Sequence, residues 1–297
     1  MSQVWSPEII ERAAALHLQA RQLVWGYRFG LHRSPKITRS VEFAEHKEYS
    51  PGDSVRDIDW RVFARTERLL VRRQQADTEL SVVLALDASG DMAIGAAELP
   101  SLTDSRFGKA ITLAATLALL AQRRGEKVGL FIMGGEGQEV NWLRPQSSRN
   151  QLAAILNHLA AIRPKNNANL EHRFQDLGHV LPKRSLVFVL SDFMEEPQRW
   201  GPSLSGLAAM GADLRLVHLY SQKEFALSFD ETAQFLSPEE SSPLNLDSTA
   251  IRQSFLGVVD EYLDELKSWS AKSRAVYIPC AYEETLERTF IQMLRGV

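Results

Sequence analysis

From residue 79 to the end of the chain, short apolar runs alternate with longer segments of helical periodicity. Three runs, 81–86 (SVVLAL), 127–133 (KVGLFIM) and 185–190 (SLVFVL), are apolar at nearly every position. Strands that are apolar on both faces are typical of parallel sheets, because the crossover helices between parallel strands cover both sides of the sheet. The alternation therefore predicts an α/β fold with an open, doubly wound, mostly parallel sheet.

Periodicity and stop signals place the other elements of this region. Residues 106–124 form a predicted helix that ends at Gly125, and residues 151–162 form another that ends before Pro164. The remaining predicted elements are a strand at 138–143 that pairs with 127–133, a helix before Gly211, a strand at 214–220, a helix at 249–271, a strand at 275–279 and a helix at 283–294.

Two segments fall outside this alternation. Residues 1–78 are predicted to form an N-terminal extension, in which a helix over 7–27 follows the capping residue Ser6 and an irregular stretch comes next. Residues 225–247 carry prolines and serines and predict a surface insertion, with a hairpin as one form. The predicted α/β domain therefore covers residues 79–297.

The charge of the chain excludes one class of protein. It has 297 residues, with 34 Lys and Arg against 37 Asp and Glu, and its formal charge of −3 excludes a globally basic nucleic-acid binder. The charges are unevenly spread, since residues 21–75 hold twelve basic and seven acidic residues, whereas 224–265 hold ten acidic residues and one basic. Such asymmetry bears on partners rather than on fold.

Cysteine use and hydropathy indicate the compartment. Cys280 is the only cysteine, so no intramolecular disulfide is expected, which fits a reducing compartment. The longest apolar stretch, 110–121, has twelve residues, whereas a membrane span needs about 20. The N-terminus lacks the basic-then-apolar order of a secretory signal. We therefore expect a cytoplasmic protein without a membrane span.

Acidic and hydroxyl side chains follow two of the predicted strands. Asp87, Ser89 and Asp91 come directly after the first apolar run, and Asp192 follows the third. In open α/β sheets, ligands bind beyond the carboxyl ends of the strands. If the two strands are neighbours, these oxygen atoms converge and suit a hard cation, Mg²⁺ above all. The alternative is that they only cap the helices that follow.

These residues resemble the metal-ion-dependent adhesion site of von Willebrand factor A-type domains, which reads Asp-x-Ser-x-Ser, then a threonine on a second loop and an aspartate on a third. Asp87 and Ser89 match the first and third positions, and Asp91 stands in place of the second serine. Asp192 matches the third-loop aspartate, whereas Ala168 occupies the place of the threonine. The resemblance implies a degenerate site, in which the extra acid either adds a metal ligand or pairs with Arg or Lys without a metal.

The segment 42–65 interleaves acids, arginines and aromatic residues around the turn Pro51-Gly52-Asp53. Its arginines, with two that follow, allow either recognition of phosphate or single-stranded nucleic acid, or ion pairs that pack the segment. They are Arg56, Arg61, Arg65, Arg72 and Arg73. Because seven acids accompany the twelve basic residues of 21–75, the packing interpretation is favoured and nucleic-acid binding is not expected.

The same segment resembles the bacterial family labelled domain of unknown function fifty-eight. The resemblance rests on the pattern EF…Y-x-P-G-D-x-V-R-x-I-D-W-x-x-x-A-R, followed by a strand and then D-x-S, and it runs nearly end to end. Its motif residues here are Pro51, Gly52, Asp53, Arg56, Asp59, Trp60 and Arg65. Family members are von Willebrand factor A-like proteins, often associated with MoxR-type AAA+ ATPases. The resemblance implies a partner or adaptor of such an ATPase in the assembly or maturation of client proteins.

We therefore expect a non-enzymatic protein-interaction module that docks its partner through the acidic strand ends, with a bridging Mg²⁺ as one form of the contact. A Mg²⁺-dependent phosphoester hydrolase that uses the same acids is the alternative from a different class. The sequence carries no nucleophile elbow and no phosphate-binding loop, which favours the interaction module. Nucleic-acid binding through the N-terminal arginines is the third alternative, and it predicts a steep dependence of affinity on salt.

Overall fold

The computed structural model of the chain describes residues 6–30, 46–50, 58, 60–72, 80–93, 105–136, 141–226, 232–235, 244–281 and 283–295. These residues belong to two compact units. The larger unit combines the residues up to 33 with those from 80 onward, and the smaller unit lies within Ser34–Glu79.

The elements of both units are numbered in chain order. The helices are α1 Pro7–Gly30, α2 Trp60–Thr66, α3 Arg106–Arg124, α4 Arg149–Ala161, α5 Leu170–Val180, α6 Pro197–Ala209, α7 Gln222–Phe225, α8 Ser248–Lys272 and α9 Leu286–Arg295. The strands are β1 His46–Glu48, β2 Leu70–Arg72, β3 Ser81–Ala88, β4 Lys127–Gly134, β5 Trp142–Gln146, β6 Ser185–Ser191, β7 Asp213–Tyr220, β8 Thr232–Phe235, β9 Leu244–Asp247 and β10 Val276–Ala281.

A six-stranded sheet forms the centre of the larger unit. Its strand order is β10-β7-β6-β3-β4-β5, and all neighbours are parallel except β4 and β5. From β3 the chain first adds β4 and β5 on one side and then crosses to add β6, β7 and β10 on the other. The switch point of the topology therefore lies at β3, where ligand sites of open α/β sheets occur. The predicted open, mostly parallel α/β fold is confirmed.

Helices cover both faces of this sheet, as double winding requires. One hydrophobic core lies under α1, α3, α4 and α9, and it includes Phe107 and Leu113 of the almost fully buried α3. The other core lies under α5, α6 and α8. In it, Trp200 packs against Phe174 and Phe193, with ring centroids 6.0 and 5.5 Å apart.

Helix α3 follows the bounds that the sequence predicts because both of its ends are capped. The Ser105 hydroxyl accepts a hydrogen bond of 2.9 Å from the Gly108 N–H at the first turn. Gly125 ends the helix with a φ of 73°, in the left-handed region that glycine adopts without strain. The cap places Arg106 and Lys109 in the first turn, where both are buried.

Helix α1 packs on α3, α4 and α9, with Leu16, Ala20 and Val24 buried. This placement differs from the predicted N-terminal extension of residues 1–78, because the first helix belongs to the same unit as the sheet. The periodicity of the segment shows an apolar stripe, but it does not show which surface covers that stripe.

The edge of the sheet lies further along the chain than predicted. Strand β5 pairs antiparallel with β4, as expected, and it spans Trp142–Gln146, three residues beyond the predicted end at 143; positions 138–140 of the predicted strand lie outside the described residues. Gly129 permits the close approach of the two strands, since a Cβ atom there would lie 2.7 Å from the Leu143 carbonyl oxygen. The Gln151 side-chain amide then donates to the carbonyl oxygens of Val128 and Arg144, at 2.9 and 3.0 Å, which fixes this register.

The insertion and two of the helices can also be compared with the sequence predictions. Strands β8 and β9 form an antiparallel pair inside the predicted insertion of 225–247, which confirms the hairpin. Helix α5 was not predicted, and the last helix begins at Leu286 rather than at residue 283. Within the ranges that the structure describes, no helix is both long and apolar enough to cross a membrane.

Candidate functional site

The carboxyl ends of β3 and β6 lie side by side. The strands pair in parallel with Leu86 opposite Leu190, so the next residues, Asp87 and Ser191, are also neighbours. The Ser191 hydroxyl donates a hydrogen bond of 2.5 Å to Oδ2 of Asp87. We call the region around Asp87, Ser89, Asp91 and Asp192 the carboxyl edge, and the structure brings these four residues to one cleft.

Asp87 is the most deeply buried acid of the carboxyl edge, with 1% of its surface exposed. Its Oδ1 atom accepts a hydrogen bond of 2.8 Å from the Ser89 N–H, while Oδ2 accepts from Ser191. Burial and the neighbouring charge of Asp192 raise the pKa of Asp87 to about 7, against the opposing effect of these hydrogen bonds. The side chain thus orders the turn after β3 and holds a proton far more readily than an exposed aspartate does.

Asp192 is paired with a buried arginine. Nη1 of Arg106 lies 3.0 Å from Oδ2 of Asp192, and the two side chains are 3% and 5% exposed. The other terminal nitrogen of Arg106 donates to Glu224 on α7, and Oδ1 of Asp192 accepts from the Met194 N–H at 3.2 Å. Burial raises the pKa of Asp192, and the Arg106 guanidinium opposes that rise.

A cleft of about 260 Å³ opens at the carboxyl edge. Its walls come from the ends of β3 and β6 and from the loop before α5. The lining residues are Asp87, Ser89, Asp91, Asn167, Ala168, Leu170, Asp192, Met194, Glu195, Glu196 and Arg199. Five of them are acids and one is an arginine, so the cleft is acidic. Asp91 lies half-buried in it, and burial raises the pKa of this carboxyl while Arg106 lowers it.

The loop predicted to carry the threonine position does reach the carboxyl edge. The Lys165 N–H donates to the Ala88 carbonyl oxygen at 3.0 Å, and the Gly90 N–H donates to the Asn166 carbonyl oxygen at 2.7 Å. Ala168 is buried in the wall of the cleft. Its methyl group stands where the resemblance expects a hydroxyl and offers no oxygen to a ligand.

Two features of the carboxyl edge, an ion pair at Asp192 and an alanine at position 168, disfavour a resident divalent cation. A cation such as Mg²⁺ is held by one or two carboxylates together with other oxygen ligands and waters. Asp192 is paired with Arg106, which also pairs with Glu224, and Ala168 contributes no side-chain oxygen. Over the described part of the chain, no group of three or more Asp, Glu, His or Cys side chains is placed to hold a metal. The Mg²⁺ expected from the sequence stays a prediction.

Three residues that make contacts in this region, Arg106, Glu224 and Glu195, were not singled out from the sequence. Arg106 and Glu224 are 118 residues apart, and no local pattern pairs them. Glu195 accepts a hydrogen bond of 3.0 Å from the Leu170 N–H and so satisfies a free donor at the start of α5. The sequence does indicate that Arg106 has an acidic partner, because a basic residue in the first turn of a buried helix needs one.

Most of the N-terminal motif lies outside the described residues. This applies to Pro51, Gly52, Asp53, Arg56, Asp59 and Arg73, and to the side chains of Arg61 and Arg72. Trp60 and Arg65 lie in α2, where the rings of Trp60 and Phe63 meet edge to face with centroids 6.0 Å apart. The hypothesis of nucleic-acid binding therefore stays a prediction.

Cys280 lies on β10 and is fully buried. Its sulfur lies 3.3 Å from the Thr289 hydroxyl, and burial raises the pKa of the thiol. A buried thiol with a raised pKa is a poor nucleophile, and Cys280 therefore has the character of a small core residue.

Comparison with solved structures finds similar folds at low sequence identity. The conserved hypothetical protein BatB from Bacteroides thetaiotaomicron is 13% identical, with a TM-score of 0.42, over 73% of this chain and 99% of that one. An aerotolerance-related membrane protein from Bacteroides fragilis is 12% identical, with a TM-score of 0.43, over 73% and 100%. The SpRpn10 VWA domain is 11% identical, with a TM-score of 0.41, over 72% and 94%.

Sequence comparison shows the family of the chain. Uncharacterized proteins of Mycobacterium tuberculosis and Mycobacterium bovis are 27% identical over 207 residues, which is 68% of this chain. The match covers 62% of each of these proteins, so the chain spans less than two thirds of their length. Residues 45–261 match the family described as protein of unknown function DUF58. Because this match covers well over half of the sequence, the chain belongs to the DUF58 family.

Proposed function

We propose that the chain is a non-enzymatic protein-interaction module that docks a protein partner at its carboxyl edge. The observation that supports this most strongly is the acidic cleft of about 260 Å³ at the switch point of the sheet. Its walls stand on the ends of two buried parallel strands, so the docking surface is held rigid before the partner arrives, and little ordering is required on binding.

The engagement of the buried acids favours docking over hydrolysis. Asp87 orders the turn at Ser89 and accepts from Ser191, and Asp192 is held by Arg106 and by the Met194 N–H. A general base or a metal-held nucleophile needs a carboxylate that is available to the substrate. These two carboxylates are instead engaged by backbone N–H groups and by the side chains of Ser191 and Arg106. Such contacts stabilise the loops that form the surface of the cleft.

The exposed residues beside the cleft have the mixed character of a docking surface. Met194 is 56% exposed, and Glu196 and Arg199 are exposed on the same stretch of chain. A flexible apolar side chain between charged neighbours is suited to a protein contact. The excess of acids in the cleft favours a partner that presents a basic surface, because complementary charge speeds association and selects the partner.

The partner that we propose is a MoxR-type AAA+ ATPase. This part of the proposal comes from the family to which the chain belongs and not from the geometry of the cleft. The chain would then act as an adaptor during the assembly or maturation of client proteins. An ATP-dependent partner makes the cytoplasm the expected compartment.

The proposal is tested with a purified MoxR-type ATPase encoded in the same genome, immobilised for biolayer interferometry in the absence of nucleotide. We expect Met194→Arg and Glu196→Lys to weaken binding of the chain by about tenfold or more each. The matched control is Asp264→Lys on α8, a residue whose side chain is 79% exposed and which should leave the affinity unchanged. Equal binding by all variants would contradict docking at the carboxyl edge.

A further inference from the structure

We propose that Arg106 replaces the divalent cation at the carboxyl edge. Its guanidinium holds Asp192 in a buried ion pair, so the edge binds no Mg²⁺ and docks its partner without metal. The docking half of this proposal rests on the proposed function, whereas the absence of metal binding is a property of the chain alone.

The first support is the geometry of the ion pair. Nη1 of Arg106 lies 3.0 Å from Oδ2 of Asp192 and 3.4 Å from the Asp91 carbonyl oxygen, so one nitrogen contacts both strand-end loops. The other terminal nitrogen pairs with Glu224. A planar guanidinium has donors in a fixed arrangement, and it therefore joins three segments at once, as a coordinated cation would.

The second support is that no neighbouring residue in the first turn of α3 compensates for the positive charge of Arg106. It is the first residue of α3, a turn that holds no acidic residue and in which the helix dipole disfavours positive charge. Its side chain is 3% exposed, and burying an unpaired charge is very costly. The long-range pairs with Asp192 and Glu224 compensate for both effects.

The third support concerns what a divalent cation would meet. A cation bound to the remaining lone pairs of Asp192 would lie close to a guanidinium that is buried with it, and like charges repel strongly where water is excluded. Ala168 supplies no hydroxyl to offset this repulsion. Moving Arg106 aside would also leave Glu224 without its partner. The Asp192 side of the cleft therefore disfavours a cation, because a guanidinium already lies beside that carboxylate and the hydroxyl ligand is missing.

Arg106 thus acts as a positioning residue for the docking surface. By holding Asp192, it fixes the start of the loop that carries Met194 and Glu196. In a metal-bridged contact, chelation would abolish docking. With Arg106 in place of the metal, docking should be insensitive to EDTA and should depend on the charge at position 106.

The decisive experiment is a titration of the purified wild-type chain with Mg²⁺ and with Mn²⁺ by calorimetry, together with Tm measurements in EDTA and in millimolar Mg²⁺. We expect no saturable binding and the same Tm in both solutions. A cation present at a hundredfold excess over its Kd would raise Tm by roughly 5 °C. Saturable binding that disappears in Asp87→Asn and Asp192→Asn would overturn the proposal.

A second experiment asks whether removing the arginine creates a metal site. The variant Arg106→Met combined with Ala168→Thr removes the resident charge and adds the missing hydroxyl, and we expect it to bind Mn²⁺ at least about tenfold more tightly than Ala168→Thr alone. A folded double variant that binds no Mn²⁺ would contradict the proposal. If circular dichroism shows that the double variant is unfolded, the wild-type titration decides.

The two proposals fail in different ways. Binding of the wild-type chain to the ATPase in EDTA, at the affinity seen in Mg²⁺, supports both. Binding in Mg²⁺ that is lost in EDTA contradicts the role of Arg106 but leaves docking intact. No binding in either solution contradicts the proposed partner, and the cation titration of the chain alone still tests Arg106.

Discussion

The hydroxyl of Ser191 donates a 2.5 Å hydrogen bond to Oδ2 of Asp87, and so joins the last residue of β6 to an acid at the end of β3. The two residues are 104 positions apart in the chain. Their contact places Asp87 beside the Asp192 loop and links the ends of the two strands. The stability and pH response of this edge, and the docking that we propose, all depend on that proximity.

The free energy of unfolding should depend on pH through Asp87. Its pKa is raised from 3.8 to about 7 in the folded state. Between those values the folded protein keeps a proton that the unfolded chain has released, so the free energy of unfolding falls as pH rises from about 4 to 7. Each unit of such a shift corresponds to about 1.4 kcal/mol.

Urea denaturation across this pH range measures the effect. Asp87→Asn cannot ionise, and it should therefore show a shallower fall in stability toward pH 7 than the wild type. Asp264→Asn, at an exposed position of α8, serves as the control and should follow the wild-type curve. Identical pH profiles for wild type and Asp87→Asn would show that this carboxyl titrates normally.

The pair of Arg106 and Asp192 should be strongly coupled energetically. Arg106→Met leaves Asp192 buried without its cation, and such a loss costs about 3–5 kcal/mol. Adding Asp192→Asn should recover part of this cost, which a double-mutant cycle measures by denaturation. The exposed pair Arg173–Asp176 on α5 is the matched control and should show coupling below about 1 kcal/mol. Additive effects at Arg106 and Asp192 would refute the coupling.

Two glycines of α6 should respond oppositely to alanine. A Cβ atom at Gly201 would lie 2.3 Å from the ring of Trp269, so Gly201→Ala should destabilise the packing of α6 on α8 by about 1–3 kcal/mol or more. At Gly206 nothing lies within 4 Å of the added Cβ. Gly206→Ala should therefore raise Tm slightly, through the higher helix propensity of alanine. Thermal unfolding of both variants checks this, and equal Tm values would argue against the close packing at Trp269.

Glu195 should stabilise the first turn of α5. Its Oε1 atom accepts from the Leu170 N–H at 3.0 Å, in the role of a capping acceptor. Glu195→Ala should cost about 1 kcal/mol and speed hydrogen exchange at residues 170–172, whereas Glu195→Gln keeps an acceptor oxygen and should be milder. Unchanged exchange in Glu195→Ala would mean that this bond is not formed in solution.

The strands, and the acids at their ends, could be predicted because they depend on local patterns. The apolar runs at 81–86 and 185–190 have the length and hydropathy of buried parallel strands, and parallel strands bring their carboxyl ends to the same edge. The bounds of α3 follow from a serine cap and a terminal glycine. In each case the residues that decide the structure lie within a few positions of each other.

The partners of the acids could not be predicted in the same way. Arg106 lies in a helix whose apolar periodicity predicts burial of the whole segment, and its pairing with Asp192 depends on the order of strands in the sheet. Helix α5 was missed because its amphipathic pattern is short and follows a loop with asparagines. Asn169 begins it from a left-handed backbone conformation, with a φ of 51°.

Photo-crosslinking from single positions shows whether the partner docks at the carboxyl edge. A photoreactive amino acid is introduced in place of Met194 or Arg199 beside the cleft, or in place of Val258 on α8, which is 63% exposed. We expect crosslinks to the MoxR-type ATPase from positions 194 and 199, in EDTA as well as in Mg²⁺, and none from position 258. Crosslinks from position 258 alone would contradict it.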